Sequence, residues 1–121
     1  ELSDLNHGVK LNGGVVIKYN AAQHYTSDGV SAALFQLLCE EAGVPFQRYA
    51  NRADMAGGST LGNIANTQVS LNTADIGLGQ LAMHSAFETA GAADTAYLVR
   101  ALKAFFETPL RTERDGVYRL A

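Results

Sequence analysis

The 121-residue sequence has no tryptophan, two prolines and a single cysteine. A lone thiol, Cys39, cannot close a disulfide within the chain. This excludes a disulfide-stapled scaffold and leads us to expect a reducing, cytoplasmic setting. Long apolar runs are also missing. No window approaches the ~20 consecutive apolar residues that span a bilayer, and the polar opening Glu1-Leu2-Ser3-Asp4 does not read as a secretory signal, so no membrane partner is expected. Basic residues are too few for a nucleic-acid surface: nine Lys and Arg stand against twelve Asp and Glu, for a net charge of −3, and they form no stripe. Charge of either sign is sparse at 17%, below the roughly one quarter of an average domain. Such a surface suits a homo-oligomer subunit or one piece of a larger domain.

What the chain does contain is a pattern of short β-type runs alternating with helical runs, over a length that suits one domain, residues 1–121. The pattern predicts an α/β fold arranged as a three-layer sandwich. A first strand is expected over Val15-Val16-Ile17-Lys18-Tyr19. A helix should follow from about Asp28 to Ala42, burying a stripe of Val30, Ala33, Leu34, Leu37 and Leu38. Thr26, Ser27 and Asp28 offer its N-cap, and Gly43 and Pro45 close it. A second strand begins at Phe46. The glycine-rich segment Met55 to Gly62 then leads into a short helix near Asn63 to Gln68. Ala74 to Gly77 reads as a third strand, and Ser85-Ala86-Phe87-Glu88 has capping-box spacing for another helix. The last helix, about Asp94 to Phe106, carries Tyr97, Leu98, Ala101, Leu102, Phe105 and Phe106 as a stripe wide enough to cover a sheet. The tail from Arg111 is expected to be one short strand or none. If the strands are parallel, the segments after all three meet at one carboxyl edge, where open α/β sheets bind ligands.

Candidate chemistry is thin. His84, between a strand and the expected helix, suits a metal ligand and equally a histidine bonded to a backbone carbonyl. Lys18 near a strand end suits pairing with an acidic group, or simply a solvent-facing strand position. The loop Gly57 to Gly62 is neither a Walker A motif nor a dinucleotide fingerprint. It can offer backbone N–H groups to a carboxylate, or form a tight turn with Ser59 or Thr60 as N-cap. Asp54 and Asp75 read as turn or cap residues as readily as ligands, and Glu40-Glu41 do not share a helix face. Cys39 reads as a buried, inert thiol. His7 and His24 have no partner at metal spacing. A catalytic zinc takes three protein ligands, and these residues supply one.

Three motifs in order give more. Gly14-Val15-Val16-Ile17-Lys18-Tyr19-Asn20-Ala21 with Gln23 and Tyr25, then Asp54-Met55-Ala56-Gly57-Gly58-Ser59-Thr60-Leu61-Gly62, then Ala82-Met83-His84-Ser85 together resemble the aspartyl aminopeptidases. The likeness runs from about Glu1 to Phe106. It implies a cytoplasmic peptidase of the phosphorylase/hydrolase-like fold, with two zinc ions, that removes acidic residues from peptide N-termini and assembles as a homo-oligomer. It further implies that His84 is the last zinc ligand, that Lys18 and Tyr25 line the pocket for the acidic side chain, and that Gly58 and Ser59 lie beside the substrate. The family's general-base glutamate and other ligands lie upstream of the stretch matching Glu1. No catalytic base is therefore assigned here, and the isolated chain is expected to be inactive. Ala22 and His24 stand where the family favours asparagine and arginine, and Phe87 where it favours arginine, which bears on fine substrate preference. The alternative is a non-catalytic binding or assembly module that keeps the scaffold.

Overall fold

The computed structural model describes residues 6, 8–52 and 54–121. The opening stretch Glu1 to Asp4 and His7 lie outside them. Strand β1 (Val15–Tyr19) leads to helix α1 (Gly29–Glu41) and strand β2 (Phe46–Ala50). Helix α2 (Leu61–Gln68) and strand β3 (Ile76–Gly77) follow. A small hairpin of β4 (Gln80–Leu81) and β5 (Thr89–Ala90) precedes helix α3 (Ala92–Glu107). The chain closes on strands β6 (Leu110–Arg114) and β7 (Val117–Leu120).

The central sheet has the order β2-β1-β3. Strands β1 and β2 are parallel and joined across α1, whereas β3 is antiparallel to β1, with Ile17 opposite Ile76 and Val16 opposite Gly77. The condition for all three following segments to meet at one edge, three parallel strands, is therefore not met, and the reason lies in α2. A parallel crossover needs a helix that packs on the sheet and carries the chain back to the starting edge. Helix α1 does this. Helix α2 is eight residues long with no buried residue, so the chain stays at the carboxyl edge and enters β3 from there.

Val15 and Ile17 are fully buried on one face of β1, against Ala32, Phe35 and Cys39 of α1, Val44, and Ala101 of α3. Each large apolar side chain in this cluster contributes roughly 1.5–3 kcal/mol of burial free energy. Because α1 and α3 share that core, the mixed α/β character is borne out, with both long helices against a single sheet face. The buried face of α1 is Ser31, Ala32, Phe35, Leu38 and Cys39, rotated from the expected stripe. Only Leu38 is common to both. The helix is apolar on more than one side, so spacing alone fits two faces, and Val30 and Leu37 end up exposed. Its start follows expectation. Asp28 accepts from the Ser31 N–H at 2.8 Å while Ser31 Oγ accepts from the Asp28 N–H at 3.0 Å, a reciprocal capping box. The Ser31 N–H, foremost, holds the Asp28 carboxyl below its ordinary pKa.

The expected helix at Ser85 is absent. Residues 82–88 form the tip of the β4–β5 hairpin, in which Ser85 Oγ accepts from the Phe87 N–H at 3.1 Å and Glu88 accepts from His84. On α3, Ala101 is buried and Tyr97 and Leu98 pack on the core, but Leu102, Phe105 and Phe106 are exposed. Its stripe thus packs on the core only as far as Ala101. The tail, expected as one strand or none, is a two-stranded antiparallel hairpin tied back by a hydrogen bond from Asn72 Nδ2 to Tyr118 Oη at 3.3 Å.

One buried carboxylate fixes the entry to β1. Asp94, in the first turn of α3 and fully buried, accepts from the Asn12 N–H at 2.8 Å and from the Gly14 N–H at 2.9 Å. Asn12 Oδ1 returns the contact by accepting from the Ala93 N–H at 2.9 Å. Gly14 has φ of +102°, and a Cβ there would lie 2.0 Å from the Pro45 carbonyl oxygen, so only glycine fits.

Removing the carboxylate strands two amides. Asp94→Ala should cost about 2–4 kcal/mol in denaturant unfolding, with Asp94→Asn intermediate; an unchanged midpoint would contradict this role. Burial pushes the Cys39 thiol up to about 11. Native protein at neutral pH should therefore label far more slowly with a thiol reagent than unfolded protein, and equal rates would contradict the buried placement.

Candidate functional site

The antiparallel entry of β3 brings Asp75 beside the end of β1. The Lys18 N–H donates to the Asp75 carbonyl at 2.9 Å, and Lys18 Nζ stands 3.3 Å from Asp75 Oδ1. The other carboxylate oxygen, Oδ2, accepts from the Thr60 hydroxyl at the start of α2. The Asp75 N–H donates to Ser27 Oγ at 2.7 Å. Segments preceding α1, α2 and β3 thus converge on one residue, Asp75.

Tyr25 completes the group. After β1 the chain reverses in a tight turn: Asn20 Oδ1 accepts from the Ala22 N–H at 2.8 Å, the Gln23 N–H donates to the Asn20 carbonyl, and Gln23 takes a left-handed φ of +61°. This returns Tyr25 to the strand end, where Lys18 Nζ lies 5.5 Å from its ring centroid, within cation–π range. Tyr49 of β2 tilts against Tyr25 at 6.4 Å and donates its hydroxyl proton to Asn51. Burial, with lesser contributions from Tyr49 and Asp75, raises the Tyr25 phenol above its ordinary pKa; burial alone raises Tyr49. Both phenols are therefore neutral hydrogen-bonding groups at physiological pH.

Gly58 and Ser59 are exposed on the segment leading into α2. Thr60 occupies the N-cap position, yet its hydroxyl serves Asp75 and no side chain caps the helix. The start of α2 thus keeps backbone donors available to an anion. Gly57 sits tight against Asn51, where a Cβ would lie 1.8 Å from Asn51 Nδ2.

His84 is placed differently. It is exposed on the β4–β5 tip with φ of +68°, and its N–H donates to Glu88 Oε1 at 3.1 Å. The hairpin springs from the end of β3 remote from Lys18, where Gly79 lies against Val9 and Lys10. The structure thus gathers Lys18 and Tyr25 with Asp75, Thr60 and Tyr49, while His84 stands on another element. Among the described residues no three His, Cys, Asp or Glu side chains are grouped to hold a metal ion. A zinc site is not completed by these residues, since a catalytic zinc takes three protein ligands. Asp54 pairs locally with Arg52 at 2.6 Å on an exposed turn, where such a pair contributes little.

Asp75, Thr60 and Tyr49 are the members that sequence reasoning did not assign to the site. The one available signal was a charged residue directly before a short apolar strand. It gains meaning only once that strand is known to run backwards.

The signature of the family described as aminopeptidase I zinc metalloprotease (M18) matches residues 1–106. A probable M18 family aminopeptidase 2 of Pseudomonas paraeruginosa is 48% identical over 103 residues, covering 85% of this chain and 24% of that protein. Its counterpart in Azotobacter vinelandii is 46% identical over 107 residues, covering 88% of this chain and 25% of its own length. The chain therefore spans about a quarter of the length of these relatives. Among solved structures, the Ape4 subunit's structure with Nbr1 superposes with a TM-score of 0.83 at 35% identity, over 86% of this chain and 20% of that one. An M18 aminopeptidase from Thermotoga maritima gives 0.76 at 27% identity, over 88% and 25%. The mApe1 dodecamer of Saccharomyces cerevisiae gives 0.74 at 27%, over 87% and 22%. With its fold and its sequence matched over nearly all of its length, the chain belongs to the M18 zinc metalloprotease family of aminopeptidase I.

Proposed function

We propose that residues 1–121 are a single structural unit, the C-terminal portion of the catalytic domain of a cytoplasmic M18 aminopeptidase that removes acidic residues from peptide N-termini. Within the complete domain, further elements would complete the three-layer sandwich. The observation that carries the substrate reading is Lys18, whose ammonium stands at the carboxyl edge under the Tyr25 ring. An ammonium has three donors. One serves Asp75, which leaves donors for the carboxylate of an N-terminal aspartate or glutamate. Such a pair is charge-assisted and, at 27% side-chain exposure for Lys18, only partly screened by water. Gly58 and Ser59 line the same edge and offer backbone contacts to the peptide.

Zinc would supply the activated water and a polarised carbonyl when bound. His84 would be one ligand for a pair of ions, and the rest of the centre would come from sequence beyond these 121 residues. The isolated chain is accordingly inactive. The dodecamer named for the yeast relative supports a homo-oligomer here, and the sparse surface charge fits that reading.

In the complete enzyme, Lys18→Ala should lower kcat/KM for an N-terminal aspartyl peptide by roughly ten- to a hundredfold, the cost of one hydrogen bond to a charged group. An N-terminal leucyl peptide should change little. Equal losses for both would remove Lys18 from the specificity pocket. Changing His84→Ala should abolish turnover and reduce bound zinc, whereas near-normal activity with full zinc would overturn its role as a ligand.

A further inference from the structure

Lysine is a poor specificity element unless something holds it. Its charge sits on a flexible four-carbon stem, and fixing such a side chain costs rotamer entropy. The surroundings of Lys18 meet that cost before any substrate arrives. The Asp75 carboxylate is 10% exposed against 27% for Lys18, so the carboxylate is the anchored partner and the ammonium the accessible one. Thr60 donates to Oδ2 and holds the carboxylate, while the Asp75 backbone is fixed by Ser27, which accepts from its N–H, and by the Lys18 N–H, which donates to its carbonyl. Gly77 supplies the lane in which the stem lies. A Cβ at that position would stand 3.0 Å from Lys18 Cε and 3.3 Å from Nζ. The Tyr25 ring also lies within cation–π distance of the ammonium.

We infer that Asp75 is a positioning residue for substrate specificity, its carboxylate aiming the Lys18 ammonium at the acidic side chain of the substrate. The inference rests on the reading of Lys18 as the residue that recognises that side chain. It assigns Asp75 no contact with the reacting atoms. Two roles must be separated, because a carboxylate at 3.3 Å could instead compete with the substrate for the ammonium. Aiming requires an acceptor at the Oδ1 position, whereas competition requires its charge. Asp75→Asn keeps the acceptor and removes the charge, and Asp75→Ala removes both.

The test is the ratio of kcat/KM for N-terminal aspartyl over leucyl peptides in the complete enzyme carrying Asp75→Ala, Asp75→Asn, Lys18→Ala, or Lys18→Ala with Asp75→Ala. Positioning is expected to lower the ratio by about tenfold in Asp75→Ala, the effect of misplacing one charge-assisted hydrogen bond. Asp75→Asn should retain most of the ratio, and the double variant should fall no further than Lys18→Ala alone, since both act through one ammonium. A purely structural role would depress both substrates alike and leave the ratio unmoved. A fall in Lys18→Ala with no fall in Asp75→Ala would overturn the inference while sparing the reading of Lys18. No fall in Lys18→Ala would overturn that reading itself. A rise in either Asp75 variant would show the carboxylate to be a competitor and overturn positioning. Should Asp75→Ala fail to fold, Thr60→Val carries the test by releasing the hold on the Asp75 carboxylate without touching Lys18. A lowered ratio then supports positioning, and an unchanged one overturns it.

Discussion

The direction of β3 governs what this fold can present. Had α2 carried the chain back across the sheet, Asp75 would have entered β3 at the far edge and Lys18 would have ended β1 without a partner. Because α2 is short and buries nothing, the chain turns back where it is. The residue before β3 then lands beside the residue near the end of β1. Thr60 and Ser27 converge on the same residue, Thr60 at its carboxylate and Ser27 at its backbone N–H. One topological choice, made by a helix too short to cross the sheet, thus collects groups from three separate segments.

A second buried carboxylate performs the matching task at the opposite edge. Asp94 ties the start of α3 to the approach to β1 through two backbone amides. The strand carrying Lys18 is therefore held at its entry by one aspartate and near its exit by another. Between them, Val15 and Ile17 are buried against α1 and α3. A strand pinned in this way is a rigid base for a side chain that must point at a ligand.

Much of this was legible in the sequence because it depends on local pattern. The β-branched run at Val15, the capped helix beginning after Asp28, and the long helix near Asp94 all lie close to where their periodicity puts them. Strand direction was not legible, since nothing in Ile76-Gly77 encodes whether the chain arrives from one edge or the other. Ser85 to Glu88 spells a capping box, but only seven residues separate β4 from β5. Pairing of those strands overrode the local signal, and Glu88 turned to the His84 amide instead. The face of α1 was misread because an all-round apolar helix does not declare which side meets the sheet. Lys18 and Tyr25 became candidates through family resemblance, whereas the contacts that give Asp75 its place are wholly tertiary.

The exposed Leu102, Phe105 and Phe106 on α3, and Met83 and Phe87 on the hairpin, form no part of the core these residues build. They accord with a chain that covers a quarter of its relatives' length. In the proposed function Lys18 reads an acidic N-terminal side chain and His84 is a zinc ligand within the complete enzyme. A crystal structure of that enzyme, loaded with zinc and holding an N-terminal aspartate product, tests both at once. The expected result is the product's side-chain carboxylate within hydrogen-bond distance of Lys18 Nζ, with Asp75 still behind the ammonium, and a His84 ring nitrogen on a zinc ion. A product carboxylate held by other residues, or a His84 away from the metal, would contradict it.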